Sequence, residues 1–166
     1  MIINEVTGNL KEFDLGNRII DLLEIEWFES TKRIQRKKTK SGDDIAIKFL
    51  KEGQRLRQDD ILYADDQKVI VVDILPCDAI AVKPTTLLEM GSVCYEIGNK
   101  HLPMFIQNDE VLVPFEEPIF KWLSASGYKT EKIHTRLTNL LNSTVQPHGS
   151  HNENSSLFFK IMNIGK

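Results

Sequence analysis

The side chains best suited to metal chemistry in this sequence are its histidines. His101 directly follows the sequence Gly-Asn-Lys, at the point where an apolar helical pattern stops. His148 and His151 lie three residues apart in a segment rich in Asn, Ser and Gly. Neutral imidazole is the commonest protein ligand for transition metals, but a histidine at a helix C-terminus can also simply complement the helix dipole. The residues alone leave both interpretations open for His101, and they leave a solvated segment without ligands open for His148 and His151.

The other reactive groups form no pattern for catalysis. Cys77 and Cys94 make no CxxC pair, which indicates free thiols in a reducing compartment. His134 follows the last predicted strand and is interpreted as a surface residue. The sequence has no nucleophile elbow, phosphate-binding loop or dinucleotide glycine pattern. We therefore do not expect this protein to be an enzyme.

Composition and charge narrow the classes of partner. The 166 residues include 21 Lys and Arg against 24 Asp and Glu, a net charge of −3, so no overall basic field would steer the chain onto nucleic acid. No apolar run approaches the ~20 residues that a membrane span requires. The N-terminal sequence also lacks the basic and apolar regions of a secretory signal. These features predict a cytoplasmic protein that binds neither nucleic acid nor membrane.

The elements that must position these histidines fall into two groups, because the hydrophobic pattern changes once along the chain. Residues 1–75 read as short strands separated by polar turns, with Gly42 supplying a positive φ in one hairpin, and predict a small β-sandwich or partly open barrel. Residues 76–134 predict the order β-α-β-β-α-β of a ferredoxin-like fold. Residues 135–166 lose this regularity and predict a flexible C-terminal tail. The fold class is therefore α+β.

The first predicted helix ends just before His101. The apolar residues of its stretch recur at spacings of three and four and predict an amphipathic helix from Thr86 to Ile97; they are Leu87, Met90, Val93, Cys94 and Ile97. Gly98 and Asn99 then fit a C-terminal cap, because both residue types tolerate the left-handed conformation found there. His101 is thereby predicted to lie in the loop between this helix and the next strand.

Four stretches of this sequence resemble one known family. The sequence Glu-Ile-Gly-Asn-Lys-His at 96–101 lies inside the predicted ferredoxin-like domain. It is accompanied by IEWFESTKRIQRKKTKSGDDIAIKF at 25–49, DILYADDQKVIVV at 60–72 and DEVLVPFEEP at 109–118. In these stretches the chain resembles the urease accessory nickel chaperones, the UreE family, over roughly its first 133 residues.

The resemblance implies a division of labour between the parts of the chain. Residues 1–75 would form a β domain that binds partner proteins or peptides. Residues 76–134 would form the metal-binding and dimerisation domain. Residues 135–166 would form the histidine-bearing tail. The homodimer is the expected assembly, with a metal-bridged tetramer as the alternative.

The resemblance also implies a nickel site at His101. A twofold dimer brings His101 of each chain together, because an isologous contact repeats every residue across its axis. His148 and His151 would add ligands to the two imidazoles. Zn²⁺ or Cu²⁺ could bind the same site, since imidazole sites bind copper more tightly than nickel.

The implied function is delivery of nickel to the urease apoprotein by way of the accessory GTPase, UreG. The alternative function is a non-metal module that binds protein or RNA. RNA-binding members of the ferredoxin-like fold use exposed aromatic residues in basic surroundings, and the strands MFIQ and EVLVPF offer no aromatic pair of that kind.

A basic run in the first domain has two interpretations. It comprises Lys32, Arg33, Arg36, Lys37, Lys38 and Lys40. It could form a phosphate-binding face, but alternate side chains of a strand point to opposite sides, and Asp43 and Asp44 offset part of the charge. In the family context this run is interpreted as a docking surface for a protein partner.

Overall fold

The computed structural model describes residues 1–51 and 53–141. The chain divides into two compact units, Met1–Leu75 and Pro76–Lys166. Within the described ranges, neither α-helix combines the length and apolar character needed to cross a membrane. The predicted tail histidines, His148 and His151, lie outside the described residues.

The first unit is built almost entirely of strands. Its elements are β1 (Ile2–Ile3), β2 (Gly8–Asn9), β3 (Ile19–Ile25), β4 (Ile34–Lys38), β5 (Asp44–Lys48), β6 (Asp60–Ala64) and β7 (Lys68–Ile74), with single 3₁₀ turns at Leu10–Glu12 and Trp27–Glu29. The strands form a three-stranded sheet of order β1-β5-β4 and a four-stranded sheet of order β2-β6-β7-β3. The predicted all-β character of this unit is confirmed.

The turn between β4 and β5 joins the two sheets of the first unit. Gly42 has the predicted positive φ, +102°, which glycine adopts without steric cost. The carboxylate of Asp21 on β3 accepts hydrogen bonds from the backbone N–H and the hydroxyl of Ser41. The backbone N–H of Lys40 donates to the carbonyl of Leu22, also on β3, at 2.8 Å. The hairpin is therefore fixed to β3 by both side-chain and backbone hydrogen bonds.

The second unit has the predicted β-α-β-β-α-β order. Its elements are β8 (Cys77–Val82), α1 (Leu87–Asn99), β9 (Phe105–Gln107), β10 (Glu110–Pro114), α2 (Glu117–Ala125) and β11 (Thr130–Thr135). The sheet order is β11-β8-β10-β9, and every pairing is antiparallel. This is the strand order of a ferredoxin-like fold, so the predicted α+β class is confirmed.

Local sequence signals account for the boundaries of these elements. The hydroxyl of Thr86 accepts a hydrogen bond from the N–H of Glu89 and caps the start of α1, as N-cap threonines commonly do. Asn108 and Asp109 both have positive φ, which gives β9 and β10 the two-residue turn that suits hairpins. Gly127, with φ of +86°, follows the end of α2.

The core of the second unit lies between one face of its sheet and the two helices. It contains nine buried residues: Ile80, Val82, Val93, Ile97, Leu102, Met104, Val111, Val113 and Leu123. Beyond β11, residues 136–141 run beside β9. There the N–H of Ile106 donates to the carbonyl of Asn139, and the N–H of Leu141 donates to the carbonyl of Met104. This first part of the predicted tail is therefore held against the sheet.

Candidate metal centre

His101 occupies the turn that ends α1. Its backbone N–H donates to the carbonyl of Gly98 at 2.9 Å, and the N–H of Leu102 donates to the carbonyl of Ile97 at 3.4 Å. His101 itself has a φ of +55°. These two bonds around a left-handed residue define a Schellman motif, in which the left-handed position is usually glycine. Ile97 and Leu102 belong to the same buried core, so both ends of the motif are anchored in apolar packing.

The predicted cap at Gly98 and Asn99 is wrong by two residues. Both residues lie inside α1, and Lys100 is the C-cap. In this motif the apolar residue of the last helical turn and the apolar residue after the left-handed position lie five positions apart. Since those positions are Ile97 and Leu102, the left-handed residue must be His101. Glycine is present in this stretch, but not where the turn would use it.

The left-handed backbone conformation of His101 is energetically unfavourable for a residue that has a Cβ. A residue with a Cβ in the left-handed region is disfavoured by about 1–2 kcal/mol relative to the right-handed region. Strained residues of this kind cluster at functional sites, where the side chain is needed despite the backbone. The imidazole of His101 is exposed to solvent, so core packing does not explain its presence.

Two contacts from the α2 side hold the end of α1 in place. The Lys100 ammonium lies 4.4 Å from the centroid of the Trp122 ring, a favourable cation–π distance. The Tyr128 hydroxyl donates to the Glu96 carboxylate at 3.0 Å. Burial and this hydrogen bond raise the pKa of Tyr128, so the hydroxyl keeps its proton at neutral pH. Neither contact is predictable from the sequence, because partners 22 and 32 residues apart leave no local signal.

One chain does not supply a complete metal shell in its described residues. No group of three or more His, Cys, Asp or Glu side chains there could hold a metal ion. A transition metal bound at His101 therefore needs ligands from a second copy of the chain, from solvent or from residues outside the described ranges. His148 and His151 belong to the last class.

An apolar face of α1, from Leu87 to Tyr95, is left uncovered. Leu87 and Leu88 are 89% and 82% exposed, and Tyr95 is also largely exposed. Together with Gly91 and Ser92 they line an open depression with a volume of about 580 Å³. The prediction that Leu87 lies on the buried stripe of α1 is wrong. The inward positions are Val93 and Ile97, with Met90 and Cys94 partly buried beside them, and Leu87 precedes the part of the helix that reaches the core.

Both units match one protein family. Residues 3–75 match the family described as UreE urease accessory protein, N-terminal domain, and residues 67–156 match UreE urease accessory protein, C-terminal domain. A urease accessory protein UreE from Flavobacterium johnsoniae is 79% identical over 166 residues, which is the whole of both chains. The chain belongs to the UreE family of urease accessory proteins.

More distant UreE relatives extend the same match. The UreE protein of Actinobacillus pleuropneumoniae is 43% identical over 144 residues, 84% of this chain and 77% of the relative. That of Acetivibrio thermocellus is 37% identical over 155 residues, 93% of this chain and 99% of the relative. The turn that carries His101 lies within the residues matched to the UreE C-terminal domain.

His134 is paired with a carboxylate on the sheet of this UreE-family chain. Its Nδ1 lies 2.9 Å from Oδ1 of Asp78, and Lys132 contacts the other oxygen of Asp78 at 2.8 Å. Hydrogen bonds from Lys132 and His134 lower the pKa of Asp78. A carboxylate behind an imidazole is also found at metal sites, but the described residues offer no further ligand here. The pairing supports the interpretation of His134 as a surface residue.

The cysteine of α1 packs against the core. Cys94 is partly buried against the core of the second unit, and burial raises the pKa of its thiol. Since the thiolate is the form that binds metals, Cys94 is poorly suited to be a ligand at neutral pH.

Proposed function

We propose that this UreE-family protein is a nickel metallochaperone that binds Ni²⁺ between two copies of the chain and passes it to the urease apoprotein. The observation that carries the proposal is an exposed histidine in a left-handed turn position that the backbone would assign to glycine. Family membership supplies the urease context. The protein acts by binding and transfer in the cytoplasm, and it is not an enzyme.

The uncovered face of α1 is the proposed dimer contact. Leu87, Leu88 and Tyr95 present apolar area to solvent on a helix that ends at His101. Fully burying one large apolar side chain stabilises a structure by about 1.5–3 kcal/mol, so this face favours pairing. In an isologous dimer every residue recurs across the twofold axis. A twofold axis that passes beside the C-terminal end of α1 brings His101 close to its own copy, which gives the site one imidazole from each chain.

The incomplete shell suits a carrier. Two imidazoles hold the ion and leave positions for water, His148 and His151. Ligands that can dissociate one at a time allow an incoming partner to replace them. Zn²⁺ and Cu²⁺ compete for the same donors because imidazole sites favour copper over nickel, and a metal-bridged tetramer is the alternative assembly. The accessory GTPase UreG is the proposed recipient on the way to urease.

Nickel titration of chelator-stripped protein tests this function. Calorimetry should give one tightly bound Ni²⁺ per two chains, and sedimentation should give a dimer under the same conditions. Removal of the surface imidazole by His134→Ala should leave the stoichiometry unchanged. Wild-type protein that binds no nickel would favour the alternative of a non-metal binding module.

A further inference from the structure

The three-stranded sheet of the first unit has an outer face of unusual composition. Along β5 and just beyond it, Ile45, Ile47 and Phe49 are buried. The alternate residues point outward, and with their neighbours on β1 and β4 they form the surface called here the outer face. It comprises Ile2, Ile34, Arg36, Lys38, Asp44, Ala46, Lys48 and Leu50. Apolar and cationic side chains therefore alternate over one exposed sheet surface.

The apolar members of the outer face are openly exposed. Ile34 is 76% exposed and Leu50 is 83% exposed, and Ile2 is also largely exposed. In the register of the sheet, Ile34 lies opposite Lys48, while Ile2 and Arg36 flank Ala46 from either side. An open groove with a volume of about 700 Å³ is lined by Ile2, Arg36, Ala46 and Lys48, among others, while Ile34 and Leu50 lie outside its lining. Exposed aliphatic side chains beside a groove mark a binding surface more often than scattered ones do.

The charges of the outer face are only partly compensated. Lys32 and Lys37 of the basic run pair with Glu29, and Lys40 pairs with Glu24. On the outer face itself Lys38 lies 3.1 Å from Asp44. Within residues 1–51 and 53–141, no ion pair or side-chain hydrogen bond engages Arg36 or Lys48. These two cations are available to an acidic ligand.

The edge of β4 is also available. Within the described part of the chain β4 pairs with β5 alone. Beyond its end, the backbone of Lys40 bonds to Leu22 on β3, so the open part of the edge is at Ile34–Arg36. An unpaired strand edge presents backbone donors and acceptors to an incoming extended segment.

We propose that an extended segment of a partner protein, with acidic and apolar side chains on one face, docks here by adding a strand to β4. Its backbone bonds to the open edge, its acidic groups pair with Arg36 and Lys48, and its apolar groups cover Ile34 and Leu50. The proposal assigns a surface and a ligand chemistry to the partner-binding role expected of the first unit. It holds whether or not His101 binds nickel.

A peptide fits this surface better than a nucleic acid does. Single-stranded nucleic acids are held by aromatic side chains on which their bases stack, and the outer face has aliphatic side chains and no aromatic ring. On the outer face the cations are separated by isoleucine, alanine and leucine. A peptide whose acidic and apolar side chains alternate matches this arrangement. Cross-strand pairs of opposite charge or of apolar residues each contribute about 0.2–1 kcal/mol.

The test uses the full chain and a fluorescent eight-residue peptide, Thr-Leu-Thr-Glu-Thr-Leu-Thr-Glu, in anisotropy titrations at low salt. Wild-type protein should bind this peptide at least ten-fold more tightly than the same peptide with lysine in place of glutamate. The double variant Arg36→Glu/Lys48→Glu should lose at least ten-fold in affinity. The control Lys11→Glu/Lys129→Glu changes the net charge equally at exposed sites elsewhere and should bind like wild type.

Strand addition is tested separately without altering the protein. The acidic peptide with N-methyl groups on alternate amides cannot complete the backbone ladder, so it should bind at least ten-fold more weakly in one of the two methylation registers. Three outcomes would each overturn the proposal. The peptides methylated in the two registers could bind equally well, the Arg36→Glu/Lys48→Glu variant could bind the acidic peptide as tightly as wild type, or a single-stranded octanucleotide could bind more tightly than the peptide. Nickel calorimetry on the same variant should be unchanged, which separates this result from the test of the metal site.

Discussion

At His101 the backbone and the side chain favour different amino acids. The Schellman turn at the end of α1 favours glycine at the left-handed position, and the chain instead has an exposed imidazole there with a φ of +55°. The sequence motif at 96–101 pointed to this residue as a candidate ligand. The strain was not predictable, because it depends on Ile97 and Leu102 both reaching the core, which places the left-handed residue three positions beyond Gly98.

The first prediction separates the effect of backbone strain at position 101 from the effect of the imidazole on nickel binding. His101→Gly should abolish tight nickel binding and raise the free energy of unfolding by up to about 1 kcal/mol, because the backbone strain is relieved. His101→Ala should abolish nickel binding without that gain, since alanine retains a Cβ. Urea denaturation and nickel calorimetry measure the two effects. A destabilised His101→Gly protein, or nickel affinity unchanged in either variant, would remove the link between strain and function.

The second prediction concerns acid stability and rests on Asp21. Burial alone would raise the pKa of this carboxyl group, but hydrogen bonds from Ser41 and Thr39 and the charge of Lys68 together lower it. A lowered folded-state pKa stabilises the protein above the unfolded value of about 3.9. That stabilisation is lost as the pH falls from there through the folded-state value.

Asp21→Asn should therefore cost about 2 kcal/mol of unfolding free energy at pH 7, the scale of a hydrogen bond to a charged group. The difference from wild type should shrink below about pH 4. Urea denaturation at a series of pH values measures this, with Asp66→Asn in an exposed turn as the control. A cost that is constant from pH 7 to pH 2 would show that the charge of Asp21 is not responsible.

At the scale of elements, the sequence predicts the order of the strands and helices well, but it predicts less well which face of a helix is buried. The hairpin turns and the order of β8 to β11 follow from glycine, asparagine and strand periodicity, which act locally. The two apolar faces of α1 could not be separated in this way. Leu87 fits the spacing of the buried stripe, yet it lies one turn before the sheet covers the helix and is exposed. No local pattern in the sequence indicates what covers a second helical face with Leu88 and Tyr95.

The third prediction tests whether this face of α1 forms the dimer. Leu88→Glu should place a carboxylate from each chain in the apolar contact and yield monomers, because a charged group loses solvation there. The second unit should stay folded, since Leu88 is largely exposed in the single chain. Sedimentation gives the assembly state, and nickel affinity should fall at least ten-fold, about 1.4 kcal/mol, with the second imidazole gone. Lys129→Glu is the matched control. A dimeric Leu88→Glu protein would move the interface elsewhere.

At the scale of the whole molecule, the two units carry surfaces of different chemistry. The first unit presents a basic and apolar sheet face. The second presents an exposed His101 and, separately along α1, an apolar helix face. Family membership could be inferred from the sequence, because motifs in both halves carry it. The complete metal shell could not be inferred, since the described residues of one chain hold no group of three possible ligands.

The last prediction concerns the remaining candidate ligands, His148 and His151. A histidine tethered near a half-filled site binds at a high effective concentration, so it raises affinity without a preformed shell. Replacing both by alanine should weaken nickel binding by about ten-fold, or 1.4 kcal/mol, and leave the dimer intact. His148→Ala alone should account for most of the loss. The matched control Asn152→Ala/Asn154→Ala alters the same segment without removing imidazole.

Truncation after Gln146 should reproduce the loss of affinity and also remove the apolar sequence LFFKIM. If that sequence contacts the accessory GTPase, truncation should impair complex formation in size-exclusion chromatography more than the double alanine variant does. Equal complex formation by both variants would restrict the role of this segment to metal binding. Unchanged nickel affinity in both would leave His101 and its partner-chain copy, with solvent, as the whole of the nickel site.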